Sequence, residues 1–160
     1  QCCQFPGGAV PAGQRPVDPL SHQRIVTAAQ ALARAASELV GAPFRLRGRD
    51  PQTGLDCIGL VASALARAGR TPPTLPHYAM RNASCARFLE LLPQVGLVPS
   101  RADPAPGDVV LLRPSAAQYH LAIIGPSGLL VHAHAGLGRV VESPAPLPWP
   151  VQARWNLIEN

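Results

Sequence analysis

Gly54-Leu55-Asp56-Cys57-Ile58-Gly59-Leu60-Val61-Ala62 is the stretch on which the reading of the fold turns. Gly54 permits a turn and Asp56 is a good helix N-cap. From Cys57 the apolar residues recur at helical spacing as far as Ala68, and Gly69 then stops the helix. Ile58, Val61, Leu65 and Ala68 form one stripe, and Leu60 with Ala64 widens it until most of the helix reads as buried. A thiol at the first helical position lies over backbone N–H groups that have no helical acceptor and over the positive end of the helix dipole. Both favour thiolate over thiol. Such a cysteine can act as a nucleophile if a base stands near it. It can equally be a small buried hydrophobe, as many cysteines are.

Upstream, residues 1–20 are rich in proline and glycine and show no periodicity, so they read as an extended arm outside a single domain of residues 21–160. Ser21 is placed to cap a helix from about His22 to Val40, with Ile25, Val26, Ala29, Leu32, Ala33, Ala36 and Leu39 on one face and Gly41 at its end. His22 would be solvated in its first turn. The following loop shapes its turns with Gly48, Pro51 and Gly54 and is expected to pack Phe44 and Leu46 on the Cys57 helix. Downstream, a proline-containing polar linker from Arg70 to Arg81 leads to a short helix at about 84–92, with Cys85 as a packing residue and Pro93 and Gly96 ending it. From Pro106 the pattern changes to short β-rich runs separated by Pro, Gly and Ser. Residues 108–112, 119–124, 129–134 and 139–142, and a last stretch at 151–158, read as about five short antiparallel strands. Helices first and an antiparallel sheet afterwards is the α+β pattern.

Composition narrows the function. Charged residues are 14% of the 160-residue chain, against roughly 25% in ordinary soluble domains, and the net charge of +5 comes from arginine alone. The arginines are dispersed without interleaved aromatic residues, which argues against nucleic acid, while a polyanionic partner such as bacterial cell wall suits the charge. No apolar run approaches the roughly 18 residues of a membrane span. The sequence starts at Gln1 and shows no signal-peptide pattern. Cys2, Cys3, Cys57 and Cys85 follow no zinc-ribbon or disulfide-framework spacing, and Cys2 and Cys3 read as incidental exposed thiols.

The base for Cys57 is sought among the histidines. His120 opens one strand and His132 lies near the end of the next, across the turn Gly125-Pro126-Ser127-Gly128. If His120 stands across from His132, both imidazoles share a face, with His134 one pleat further and Leu121, Ile123, Val131 and Ala133 on the core side. A neutral imidazole near its ordinary pKa suits a cysteine nucleophile, and a third polar group would hold the ring. His120 would be the base and His132 the orienting group.

Together, Gly41-Ala-Pro-Phe44, Gly54-Leu-Asp-Cys57-Ile-Gly-Leu-Val, Pro106-Gly-Asp-Val-Val-Leu, His120-Leu-Ala-Ile and Val131-His132-Ala resemble the NlpC-type cell-wall cysteine peptidases, over roughly residues 22–158. The resemblance implies a papain-like α+β fold and hydrolysis of peptidoglycan stem peptides, usually between γ-D-glutamate and diaminopimelate. It implies Cys57 as nucleophile, His120 as general base and His132 as third member, with no cofactor and no metal. Its compact form resembles the branch found in phage tails and prophages. The implied setting is therefore the cell envelope, periplasmic or extracellular, or a phage tail, and the implied state a monomer. Phe44 stands where the family often has a tyrosine whose hydroxyl helps the oxyanion, and Ile58 where a serine is usual. Asp56 matches the family and reads as a cap. His134, Tyr78 and His77 could support the site or line a substrate groove. Two other classes compete: a catalytically silent domain that binds wall or assembles a tail, and a zinc site drawn from Cys57, His120, His132 and His134.

Overall fold

The computed structural model describes residues 26–72, 74 and 83–159. The expected arm, Ser21, His22, His77 and Tyr78 lie outside them, as do the side chain of Cys85 and the thiols of Cys2 and Cys3. The first helix, α1, is Ala28–Ser37 and does not start near His22. Thr27 and Gln30 form a capping box: the Thr27 hydroxyl accepts the Gln30 N–H at 3.1 Å, and the Gln30 amide oxygen accepts the Thr27 N–H at 3.1 Å. Val26, just before the cap, is exposed, while Leu32, Ala33, Ala36 and Leu39 are buried as their spacing implies. The second helix, α2 (Cys57–Arg67), starts from the Asp56 cap and buries Ile58 to Val61, Ala64 and Leu65. Helix α3 (Ala83–Leu91) runs into a 3-10 turn, Leu92–Val95, which Gly96 ends in the left-handed region. Among the described residues, no helix is long and apolar enough to cross a membrane.

Among the described residues, two strand systems are present. Strands β1 (Arg49–Asp50) and β2 (Gly54–Leu55) form a small ribbon directly before α2. The main sheet is antiparallel and holds β3 (Leu97–Pro99), β4 (Val109–Ser115), β5 (Gln118–Ile124), β6 (Leu130–His134), β7 (Arg139–Ser143) and β8 (Val151–Leu157), in the order β3-β8-β4-β5-β6-β7. It therefore has six strands where about five were expected. The extra one, β3, is three residues ending in proline, too short to show a period, and pairing with β8 is what makes it a strand.

The sheet is apolar on both faces. Val109, Leu111, Leu121, Ile123, Val131, Ala133 and Val140 join the buried residues of α1 and α2 in the main core. Val110, Leu112, Ala122, Ile124 and Leu130 form a second, smaller core, against which Leu147 and Trp149 pack. This α+β architecture, with a buried cysteine-bearing helix on an antiparallel sheet, is papain-like. Residues 41–44 run along β7: Gly41 N–H donates to Val140 O, Val140 N–H to Ala42 O, and Phe44 N–H to Gly138 O, at 2.8–2.9 Å. They thus cover a strand edge that would otherwise be open. Phe44 packs on the main core, but Leu46 is 73% exposed and does not pack on α2 as expected.

Gly107 is where sheet meets helix. Its φ is +93°, its N–H donates to Ile124 O at 2.8 Å, and a Cβ there would overlap the Ala29 carbonyl of α1. Gly107→Ala should therefore cost about 1–3 kcal/mol through strain and overpacking. Urea unfolding would show a lower midpoint at unchanged slope, and an unchanged midpoint would contradict this contact.

Candidate active site

Cys57 is half-buried at the start of α2 and packs beside the main core. Its neighbour Asp56 is only 9% exposed and gathers three donors. Oδ1 accepts the Gly59 N–H at 2.8 Å and Arg49 Nη1 at 2.6 Å, and Oδ2 accepts the Arg47 N–H at 3.0 Å. The first bond caps the helix; the other two tie the preceding loop to it. Gly59 allows that loop to come close, since a Cβ there would overlap the Gly48 carbonyl. Arg47 holds a positive φ of 60° in the same loop. Asp56 is therefore a cap, as its position implied, and its charge is matched by Arg49.

The histidines sit where the sheet divides. Strand β5 pairs with β4 through His120, Leu121, Ala122 and Ile123, and β6 pairs with β7 through all five of its residues. Between β5 and β6, however, the ladder holds only Ile123↔Val131 and Ile124↔Leu130. His120 is therefore not paired across from His132, contrary to the register considered from sequence. Counting along the observed register puts Ala122 opposite His132. The offset is even, so the two imidazoles still share a face. Past the last rung the side chains span the gap: His120 Nε2 and His132 Nδ1 are 3.1 Å apart, with rings edge-to-face at 5.2 Å. On the far side, His132 Nε2 lies 2.9 Å from Ser143 Oγ on β7. His132 is 1% exposed. Trp149 meets both rings edge-on, at 5.4 Å from His120 and 6.3 Å from His132. Helix α2, which carries Cys57, packs against both β5 and β6.

These surroundings set the protonation. Burial, followed by the neighbouring His132 and His134, lowers the His120 pKa from 6.5 to about 4. Burial and then His134 push His132 in the same direction. At neutral pH the dyad is thus uncharged. His120 is a weaker base than the ordinary imidazole expected from sequence, because its imidazolium is poorly solvated. Its Nε2 is taken by His132, so Nδ1 is the nitrogen left to exchange a proton.

Of the residues singled out from sequence, His120, His132 and His134 come together, and Asp56 and Cys57 stand side by side at the α2 N-terminus. His134 ends β6 and ties down the turn that follows: its Nδ1 accepts the Leu137 N–H at 3.1 Å, and its ring is 5.8 Å from that of His132. Among the described residues, no group of three or more His, Cys, Asp or Glu side chains is placed to hold a metal ion. This weighs against the zinc alternative, since both ring nitrogens of His132 are already engaged. Ser143 and Trp149 were missed. The signal for Ser143 was present but conditional: on β7 it stands two residues from Val141, the partner of His132, and so shares its face.

Residues 41–151 match the sequence model of the NlpC/P60 family. No curated protein sequence matches the chain. Among solved structures, NlpC1 from Trichomonas vaginalis superposes with a TM-score of 0.60 at 20% identity, covering 82% of this chain and 44% of that one. The P60 domain of the antigen MAP1204 from M. avium subspecies paratuberculosis gives 0.58 at 19% identity, covering 83% and 96%. The peptidoglycan hydrolase RipB from Mycobacterium tuberculosis gives 0.56 at 21%, covering 83% and 66%. The chain thus spans less than half the length of NlpC1 and nearly the whole of the isolated P60 domain. Identities of this size establish a shared fold.

Two outcomes follow from the site's electrostatics. Above pH 6.5 neither the folded nor the unfolded chain protonates position 120. As the pH falls towards 4 the unfolded chain takes up a proton that the folded one refuses, so stability is lost across that window. The loss due to this group is roughly 3 kcal/mol. Denaturation at pH 7 and pH 4 should show a smaller drop for His120→Gln than for the parent protein; equal drops would contradict the assignment. Asp56→Ala, which removes the acceptor of three donors, should cost about 2–3 kcal/mol at pH 7 by urea unfolding.

Proposed function

The chain belongs to the NlpC/P60 family, and on that premise we propose that it is a cysteine endopeptidase of bacterial peptidoglycan. Cys57 is the nucleophile, His120 its base and His132 the group that holds His120. The observation that carries this reading is the bridged pair of buried imidazoles, His120 Nε2 to His132 Nδ1 at 3.1 Å, on strands against which the Cys57 helix packs. RipB, which shares the fold, is a peptidoglycan hydrolase by name, and the net charge of +5 suits an anionic wall. The stem-peptide bond between γ-D-glutamate and diaminopimelate is the proposed point of cleavage, and the envelope or a phage tail the proposed setting.

In the resting site His120 is a neutral imidazole, because a group with a pKa of about 4 does not hold a proton at pH 7. Proton transfer from Cys57 Sγ to His120 Nδ1 accompanies attack, and the S–C bond forms at the carbonyl carbon. Backbone N–H groups at the start of α2 steady the oxyanion, with Phe44 offering no hydroxyl to assist. Collapse breaks the C–N bond as the His120 imidazolium protonates the departing amine. Water, deprotonated by His120, then cleaves the thioester and restores the thiol. The Asp56 cap fixes the helix end, and with it the sulfur, relative to the loop of Arg47 and Arg49.

Purified peptidoglycan should be cleaved by the parent protein and at least about 10³-fold more slowly by Cys57→Ala, with mass spectrometry of the released muropeptides naming the bond. Cleavage by the Cys57→Ala protein at the parent rate would end this reading, and iodoacetamide reacting at Cys57 no faster than with a plain thiol would favour a silent wall-binding domain. Since the reaction needs neutral His120, kcat/KM should stay level down to about pH 5 and fall with a midpoint of about 4. A midpoint near 6.5 would mean that the histidine is solvated in the working enzyme.

A further inference from the structure

The hydrogen-bonded row His120–His132–Ser143 has a direction, and its direction decides whether His120 can act as a base. For Nδ1 of neutral His120 to accept a proton, the ring hydrogen must be on Nε2, donating to His132 Nδ1. His132 must then carry its own hydrogen on Nε2, donating to Ser143 Oγ at 2.9 Å. With the opposite polarity, His132 Nδ1–H points at His120 Nε2 and forces the His120 hydrogen onto Nδ1, where it blocks proton uptake. His132 is 1% exposed, so no bulk water can take over as acceptor.

We infer that Ser143 is a positioning residue of this site: by accepting the His132 Nε2–H it fixes the His132 tautomer, and through it keeps His120 Nδ1 open. Ser143 is the last residue of β7, opposite Leu130, and its side chain shares the His132 face because Val141, two residues earlier, is the partner of His132. The strand pairing, not a flexible loop, thus delivers the hydroxyl. Without that acceptor, His132 escapes a buried, unsatisfied N–H by moving its hydrogen to Nδ1, and the row reverses. The inference rests on the peptidase reading for its kinetic consequence. Its tautomer consequence stands independently of that reading.

The test uses two nearly isosteric, strand-compatible variants, Ser143→Val and Ser143→Thr, which differ in the hydroxyl alone. Long-range proton–nitrogen correlation spectra of the full chain with labelled histidine read the His132 tautomer without any substrate. Muropeptide cleavage gives kcat and KM. The expected result is that Ser143→Val moves the His132 ring hydrogen from Nε2 to Nδ1 and lowers kcat by at least about tenfold with KM within about twofold, while Ser143→Thr keeps the parent tautomer and a kcat within about threefold. An unchanged tautomer in Ser143→Val overturns the proposal. So does a shifted tautomer with parental kcat, or an equal loss in the Thr variant. Cys57→Ala is the separate control: cleavage by that protein at the parent rate would sink the peptidase reading, while the spectra would still judge Ser143.

Discussion

The central constraint is that strands β5 and β6 stop pairing after two rungs. Each keeps its outer neighbour, β4 for one and β7 for the other, so the sheet stays continuous while it opens between them. Polar groups at such an opening need other partners. Two imidazoles supply the crossing, at the distance a backbone hydrogen bond would have. The same atoms are therefore structural and, in the proposed peptidase, chemical. An apolar pair at these positions could close the gap as well or better, since buried polar groups are costly to satisfy. Retaining histidines there makes physical sense when their protons are used.

A second requirement is a carboxylate next to the Cys57 sulfur, the proposed nucleophile, that does not repel its negative charge. Asp56 is the right residue for the cap and the wrong charge for a thiolate. Arg49, at 2.6 Å, offsets that charge, and two backbone N–H groups take the remaining directions. The loop that brings Arg49 there carries Arg47 at positive φ, a conformation costing about 1–2 kcal/mol for a residue with a Cβ, and its N–H bond to Asp56 helps to hold it. Cap, ion pair and strained residue form one unit, and the small ribbon of β1 and β2 is the frame that delivers it to α2.

Much of this was legible in the sequence because it is local. The Asp56 cap, the buried stripe of α2, the Gly96 stop and the short β-rich runs of β4 to β7, set apart by Pro, Gly and Ser, follow from local side-chain pattern and cap chemistry. The start of α1 misled because Ile25 and Val26 continue the apolar spacing upstream and Ser21 is as good a cap as Thr27. Only the Thr27–Gln30 reciprocity separates them. The sixth strand was invisible at three residues. Everything at the fork is non-local: the even offset of His120 from His132, the arrival of Ser143 from β7 and the approach of Trp149 depend on pairings that no period within a segment encodes. The weakened basicity of His120 follows from those same contacts, so it too could not be read in advance.

That weakened basicity need not be a defect in the proposed peptidase. A base of low pKa gives up little by being neutral at rest, and no preformed charge has to be buried. Its conjugate acid is correspondingly strong, and the harder half of amide cleavage is protonating a poor amine leaving group. Desolvation also makes an unsatisfied N–H costly, which gives the row His120–His132–Ser143 a single hydrogen-bond direction instead of a mixture. One cause, the removal of water by Trp149 and the surrounding strands, thus weakens His120 as an acceptor, strengthens it as a donor and orders the hydrogens behind it. A solvated imidazole of ordinary pKa would be the better base, yet it would lose both the stronger acid and the fixed tautomer.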